Sequence, residues 1–196
     1  MDGSMQQEKD ADLIRAFLGG DEAAFDALVL AYQDRVYTLC RRLLGDREEA
    51  RDSAQETFVK VYRALGGFRF DAAFSTWLYT IAVNTCKNKL KSHEYRWWKR
   101  RLRLDWDSGS GGESPHREPR DPAPSALARL IQRGDEMRVQ KAMDRLPAES
   151  RAVLVLRHAE GLSYEDIVRI TGLNLGTVKS RLARARQQLQ EKLKES

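Results

Sequence analysis

Cysteine is nearly missing from this 196-residue chain: Cys40 and Cys86 are the only two. Neither sits in a CxxC or Cys/His spacing, so a structural zinc site has no ligand set and a disulfide framework has no basis. Free, inert thiols are the expectation. Long apolar runs are missing as well, and nothing approaches the roughly 20 residues that span a bilayer. The opening residues MDGSMQQEKDAD are acidic and polar, unlike a secretory signal, which points to a cytoplasmic protein. Histidine is scarce and scattered, at His93, His116 and His158. There is no glycine-rich phosphate loop, no HExxH helix and no GxSxG elbow, and the adjacent Glu48-Glu49 cannot face each other across a cleft. These absences argue against an enzyme, and no cofactor, metal or small-molecule substrate is expected.

Charge is present, and its placement matters more than the net +5. Residues 1–60 carry a balance of −5, residues 61–104 of +8, residues 105–146 of −1 and residues 147–196 of +3. An acidic front followed by two basic blocks fits two separate contacts with a polyanion. Four of the five prolines fall between Pro115 and Pro124, beside the run Ser108-Gly109-Ser110-Gly111-Gly112. Too little of that stretch is apolar to build a core, so residues 105–125 read as a flexible linker. It divides the chain into domains at 1–104 and 126–196.

No alternating strand pattern occurs, and the fold class expected is all-α: two small helical domains, the second ending in a helix-turn-helix. Phe25, Leu28, Val29, Tyr32, Val36, Leu39 and Leu43 recur at three- and four-residue steps as one apolar stripe. Gly45-Asp46 ends that helix and caps the next, which runs over 48–65 with Phe58, Val61, Tyr62 and Leu65 on one face. After Gly66-Gly67 and the loop FRFDAAF (68–74), Ser75 or Thr76 opens a helix through Trp77, Leu78, Ile81 and Val83. The second block should start with a helix over 126–146, break at Pro147 and resume over 148–160. Ser163 then caps a short helix carrying Ile167 and Ile170, and Gly172 makes the turn. A final helix from Asn174 carries Val178, Leu182, Ala185 and Leu189 inward.

That last helix presents Thr177, Lys179, Ser180, Arg181 and Arg184 away from its apolar stripe, the long donors and small hydroxyls that reach base edges in a major groove. Asp52, Gln55 and Glu56 share one helical face, which on its own reads as ordinary solvated surface. Phe68, Phe70, Phe74, Trp77 and Tyr79 are interleaved with Arg63, Arg69, Lys87, Lys89 and Lys91, a mixture suited to unpaired nucleic acid. Core filling explains Trp77 more simply, and Phe68 fits either role. Trp97-Trp98 receives no site.

The stretches ARDSAQETFVKVYRALGGFRFDAAFSTWLYTIAVNTCKNKL (50–90) and LPAESRAVLVLRHAEGLSYEDIVRITGLNLGTVKSRLARARQQL (146–189) together resemble sigma-70 family factors of the extracytoplasmic function group. The resemblance implies a partner of bacterial RNA polymerase core that selects promoter DNA. The DxxQE face Asp52, Gln55 and Glu56 would dock on the clamp helices of the largest catalytic subunit, reversing the bland reading. Phe68, Arg69, Phe70 and Asp71 would form a pocket for a base flipped from the −10 element, with Asn84 reading it. Asn174, Gly176, Thr177, Lys179, Ser180 and Arg184 would meet the −35 element, and the linker would follow the RNA exit path. Asn174 and Leu175 stand where many relatives carry proline. Regulation is expected from outside, through an anti-sigma factor, often membrane-anchored in the family. Two other classes stay open on sequence: a stand-alone helix-turn-helix regulator, and an inhibitor that mimics half a sigma factor.

Overall fold

The computed structural model describes the backbone of residues 2–105 and 136–194 and the side chains of residues 5–92 and 138–194. The rest of the expected linker, the expected helix over 126–135, and the side chains of His93, Trp97, Trp98 and His116 lie outside the described residues. Eight α-helices and no strand are found among the described residues. They are α1 (Asp2–Leu18), α2 (Glu22–Leu44), α3 (Arg47–Ala64), α4 (Phe74–Asp105), α5 (Glu136–Asp144), α6 (Ala148–His158), α7 (Tyr164–Thr171) and α8 (Leu175–Lys194).

The helix α1 has only a narrow apolar edge in an acidic sequence, and the apolar pattern did not announce it. Ile14 is fully buried, Leu13 and Phe17 pack beside it, and the buried carboxylate of Asp10 accepts hydrogen bonds from Tyr32 and Gln6. In α2 the stripe residues Phe25, Leu28, Tyr32, Val36, Leu39 and Leu43 are all buried, while Val29 is only partly so. Gly45 ends the helix at φ +79°, and the Asp46 carboxylate accepts from the Glu49 amide at 2.9 Å to start α3.

Small residues make the inner face of α3: Ala50, Ser53, Ala54 and Thr57, with Val61. They let α3 lie close against α2. Tyr62, expected inward, is instead 46% exposed and meets Phe17 and Phe25 edge-on, at centroid distances of 5.2 and 5.0 Å. The start of α4 also differs slightly from expectation. It begins at Phe74, with the Ala73 carbonyl accepting from the Thr76 and Trp77 amides at 3.0 and 3.2 Å.

The helix-turn-helix follows its sequence signals. Ser163 Oγ accepts from the Asp166 amide at 3.0 Å, Gly172 turns at φ +70°, and Asn174 Oδ1 accepts from the Thr177 amide at 2.8 Å. Ile167, Ile170, Val178, Leu182, Ala185 and Leu189 are each exposed by no more than 1%. The two halves are in contact: α2 packs on α5 and α6, and α4 on α6 and α7. Buried apolar side chains form one continuous core through both.

Gly45 and Gly172 share a left-handed conformation but not surroundings. A Cβ on Gly45 strikes the Asp144 carboxylate from the other half, whereas one on Gly172 meets open space. Gly172→Ala should cost about 1–2 kcal/mol for the backbone alone, and Gly45→Ala measurably more. Urea unfolding of both variants checks this, and equal losses would contradict the packing described.

Candidate nucleic-acid interface

The loop between α3 and α4 is organised by aromatic contact. Phe68 is half-buried, and its ring lies 4.8 Å from Phe70, 6.0 Å from Phe74 and 5.3 Å from Trp77, in tilted and edge-to-face arrangements. Phe74 is buried, so the cluster is rooted in the core at one end and open at the other. Phe68 packs against the core, in line with the core-filling reading. Trp77 is half-buried against the same core.

Phe70 occupies φ +60° and is 45% exposed. A left-handed backbone at an aromatic residue costs on the order of 1–3 kcal/mol, so the fold spends stability to hold this ring outward. The Arg15 guanidinium of α1 lies 5.7 Å from the Phe70 centroid, a cation–π contact that the sequence did not point to. Arg69 and Asp71 flank the ring in solvent. Asn84 is exposed seven residues beyond Trp77. Two helical turns separate them, so both lie on one face of α4 about 10.5 Å apart along the axis. Lys87 and Lys91 continue that face at helical spacing.

In α8 the structure sorts side chains that the sequence could not separate. Arg181 pairs with Glu149, and Arg186 Nε donates to His158 Nε2 at 2.9 Å. Burial first, and then the Arg186 and Arg157 charges, hold His158 below its ordinary pKa, which keeps that nitrogen an acceptor. Lys179, Ser180 and Arg184 are exposed, with the Lys179 ammonium 5.9 Å from the Tyr164 centroid. Asn174 and Gly176 are exposed at the helix start, and Thr177 is half-buried there. Asn174 also caps the helix through its Oδ1.

Asp52, Gln55 and Glu56 are all exposed on α3. Lys89 approaches Asp52 at 3.5 Å and Glu49 at 2.6 Å, and Lys60 approaches Glu56 at 2.7 Å. Beside Gln55 runs an apolar groove of about 920 Å³, lined by Phe25, Val29, Tyr37, Phe58, Val59 and Tyr62. Sequence reasoning missed this groove; the outward Val59 and Tyr62, 43% and 46% exposed, are its signal. Among the described residues no group of His, Cys, Asp and Glu side chains is placed to hold a metal. No helix there is long and apolar enough to cross a membrane. Cys40 and Cys86 are both buried, and the hydrogen bond with Cys40, followed by burial, pushes the Cys86 thiol up.

Comparison with known proteins settles the family. Residues 28–96 match the model for sigma-70 region 2, and residues 136–189 match that for sigma-70 region 4. The chain belongs to the sigma-70 family. It is 40% identical over 189 residues to the RNA polymerase sigma-H factor of Pseudomonas aeruginosa, covering 96% of each chain. It is 37% identical over 196 residues to the ECF RNA polymerase sigma-E factor of Escherichia coli K12, again covering 96% of each. Among solved structures, the sigma factor RpoE of Bartonella quintana, determined with the anti-sigma factor NepR, matches at TM-score 0.56 and 29% identity, over 87% of this chain and 96% of that one. These relatives place the chain in the extracytoplasmic function group. With a region 2 match ahead of the helix-turn-helix, a stand-alone regulator is set aside.

For a sigma factor, the strained Phe70 yields a specific expectation. Phe70→Gly should leave stability unchanged or raise it by about 1 kcal/mol through relief of backbone strain. Urea unfolding tests this, and a clear loss of stability would contradict the strain described.

Proposed function

We propose that this chain is an alternative sigma factor working by bivalent recognition on RNA polymerase core. Residues 1–104 form the polymerase-docking and −10 module, residues 126–196 the −35 module, and residues 105–125 join them. The observation that carries the reading is the pairing of two family regions, in order, with exposed basic side chains at both expected readers and the exposed Phe70 at the first.

Asp52, Gln55 and Glu56 meet the clamp helices of the polymerase, and the apolar groove beside Gln55 extends that surface. Phe68, Arg69, Phe70 and Asp71 receive a base flipped out of the −10 element, and Asn84 reads its polar edge. Unstacking that base costs a few kcal/mol, which stacking and hydrogen bonds in the loop offset. Asn174, Gly176, Thr177, Lys179, Ser180 and Arg184 face the −35 element, with Lys179 and Arg184 as the long donors that have no carboxylate partner among the described residues. Each module alone binds weakly, and the polymerase raises the effective concentration of the second contact, to about the millimolar range. The chain performs no bond chemistry itself; the polymerase supplies catalysis. Its place of action is the cytoplasm, and an anti-sigma protein is its expected regulator.

The direct test is co-purification with core polymerase followed by run-off transcription, in which promoter-specific product supports the reading and its absence overturns it. Two variants locate the readers. Lys179→Ala or Arg184→Ala should weaken −35 recognition by about 1–3 kcal/mol where the contact is to a base, read as loss of discrimination between the true element and a scrambled one in footprints. Asn84→Ala should spare duplex −35 binding and reduce open complex, seen as lower permanganate reactivity near the start site; undiminished reactivity would remove Asn84 from the pocket.

A further inference from the structure

A cleft of about 760 Å³, apart from both promoter readers, is walled by α2, α3, α5 and α6. It is lined by Arg41, Arg42, Arg47, Arg51 and Lys141, five cations against the single carboxylate of Asp144. Arg41 donates to the Gly45 carbonyl, and Arg42 meets Glu160 at 3.3 Å. Arg47, Arg51 and Lys141 are exposed and have no carboxylate partner among the described residues. Asp144 is already engaged, because its Oδ1 accepts from Gln140 at 2.9 Å and from Arg151 at 3.3 Å.

Like charges gathered around one concavity repel, and an anion between them relieves that repulsion. Arginine also presents its donors as a planar fork that matches phosphate oxygens. The rest of the lining is different in kind. Val139, Met143, Leu154 and Val155 are buried and apolar, and the half-buried Tyr37 and Thr38 add two hydroxyls that have no partner among the described residues. Small-molecule sites have this size and this mixture of apolar wall with a few placed polar groups. A lone phosphate leaves the apolar wall uncovered, and an uncharged ligand leaves the cations unanswered. Both demands are met by a molecule with a flat ring at one end and several phosphate charges at the other.

We propose that this cleft binds a nucleoside di- or triphosphate, its phosphates on Arg47, Arg51 and Lys141 and its base against Val139, Met143 and Leu154. Arg41 and Arg42, each with a donor already used within the protein, add fixed positive charge around the phosphates. Tyr37 and Thr38 offer hydroxyls to the ribose. The walls come from both family regions, α2 and α3 from residues 28–96 and α5 and α6 from residues 136–189, so a bound nucleotide touches both.

Isothermal titration of the full chain with ATP and with GTP at low salt tests this. At least one of the two should bind saturably at one site with a Kd below about 100 μM, and inorganic pyrophosphate and the free nucleoside at least about tenfold more weakly. Arg47→Gln, Arg51→Gln and Lys141→Gln should each weaken that binding by about three- to tenfold. Lys194→Gln removes the same charge at the end of α8 and should change it by less than about twofold. All four side chains are exposed, so thermal unfolding of each variant should match that of the unaltered chain. No saturable binding of either nucleotide overturns the proposal. Equal losses in Lys194→Gln and the cleft variants also overturn it, because they mark attraction to net charge alone. Pyrophosphate binding as tightly as the nucleotide removes the base from the site. A short thymidine oligonucleotide that binds more tightly than the nucleotide, and is weakened by the same three substitutions, assigns the cleft to nucleic acid instead. No promoter or polymerase enters the titration, so its outcome is separate from that of the run-off assay.

Discussion

A guanidinium almost without water joins the two halves of this protein. Arg151 lies 5% exposed with carbonyl oxygens of Leu43, Asp144 and Leu146 around it and the Asp144 carboxylate at 3.3 Å. Burial lowers its pKa, and Asp144 partly opposes that. A buried cation is costly unless its donors are used; both terminal nitrogens are used here, though Nε has no partner among the described residues, and the side chain fixes where the end of α2 sits against the turn before α6. The last carbonyls of a helix have no partner within it, and Arg151 supplies one from the opposite half. The relative placement of the two halves follows from that contact and from the apolar core beneath it.

The division of labour among cations follows from the same packing. Arg181 and Arg186 are spent within the C-terminal half, on Glu149 and His158, while Lys179 and Arg184 face outward. On α4, Lys89 turns to Glu49 and Asp52, whereas Lys87 continues the face of Trp77 and Asn84. A basic block is therefore not a uniform patch: some charges orient helices and others face outward. The outward Phe70, held in a left-handed backbone, shows the same economy at an aromatic position.

Much of this architecture was legible from the chain. The stripe from Phe25 to Leu43, the Gly45-Asp46 stop and start, and the Ser163, Gly172 and Asn174 signals each have a local physical cause, and each appears as expected. Helix α1 was not legible, because its stability comes from a buried Asp10–Tyr32 hydrogen bond and one deeply buried isoleucine rather than a broad stripe. Tyr62 fits the inward period of α3 but is displaced outward, where it packs on Phe17 and Phe25. Nothing in the sequence distinguishes Arg181 from Arg184, since the difference is a carboxylate 32 residues away. The docking of the halves was equally hidden: a side chain donating to backbone carbonyls leaves no pattern in either segment. The family resemblance, carried by the DxxQE face and the helix-turn-helix, supplied the functional meaning that periodicity alone does not.

The central claim is that this chain confers promoter choice on the polymerase through two separated contacts. Sequencing the transcripts made from genomic DNA by core polymerase with this chain measures it most directly. The account predicts start sites that share two sequence blocks at a fixed spacing upstream, absent when the chain is omitted. Starts scattered without such blocks, or identical with and without the chain, would contradict it.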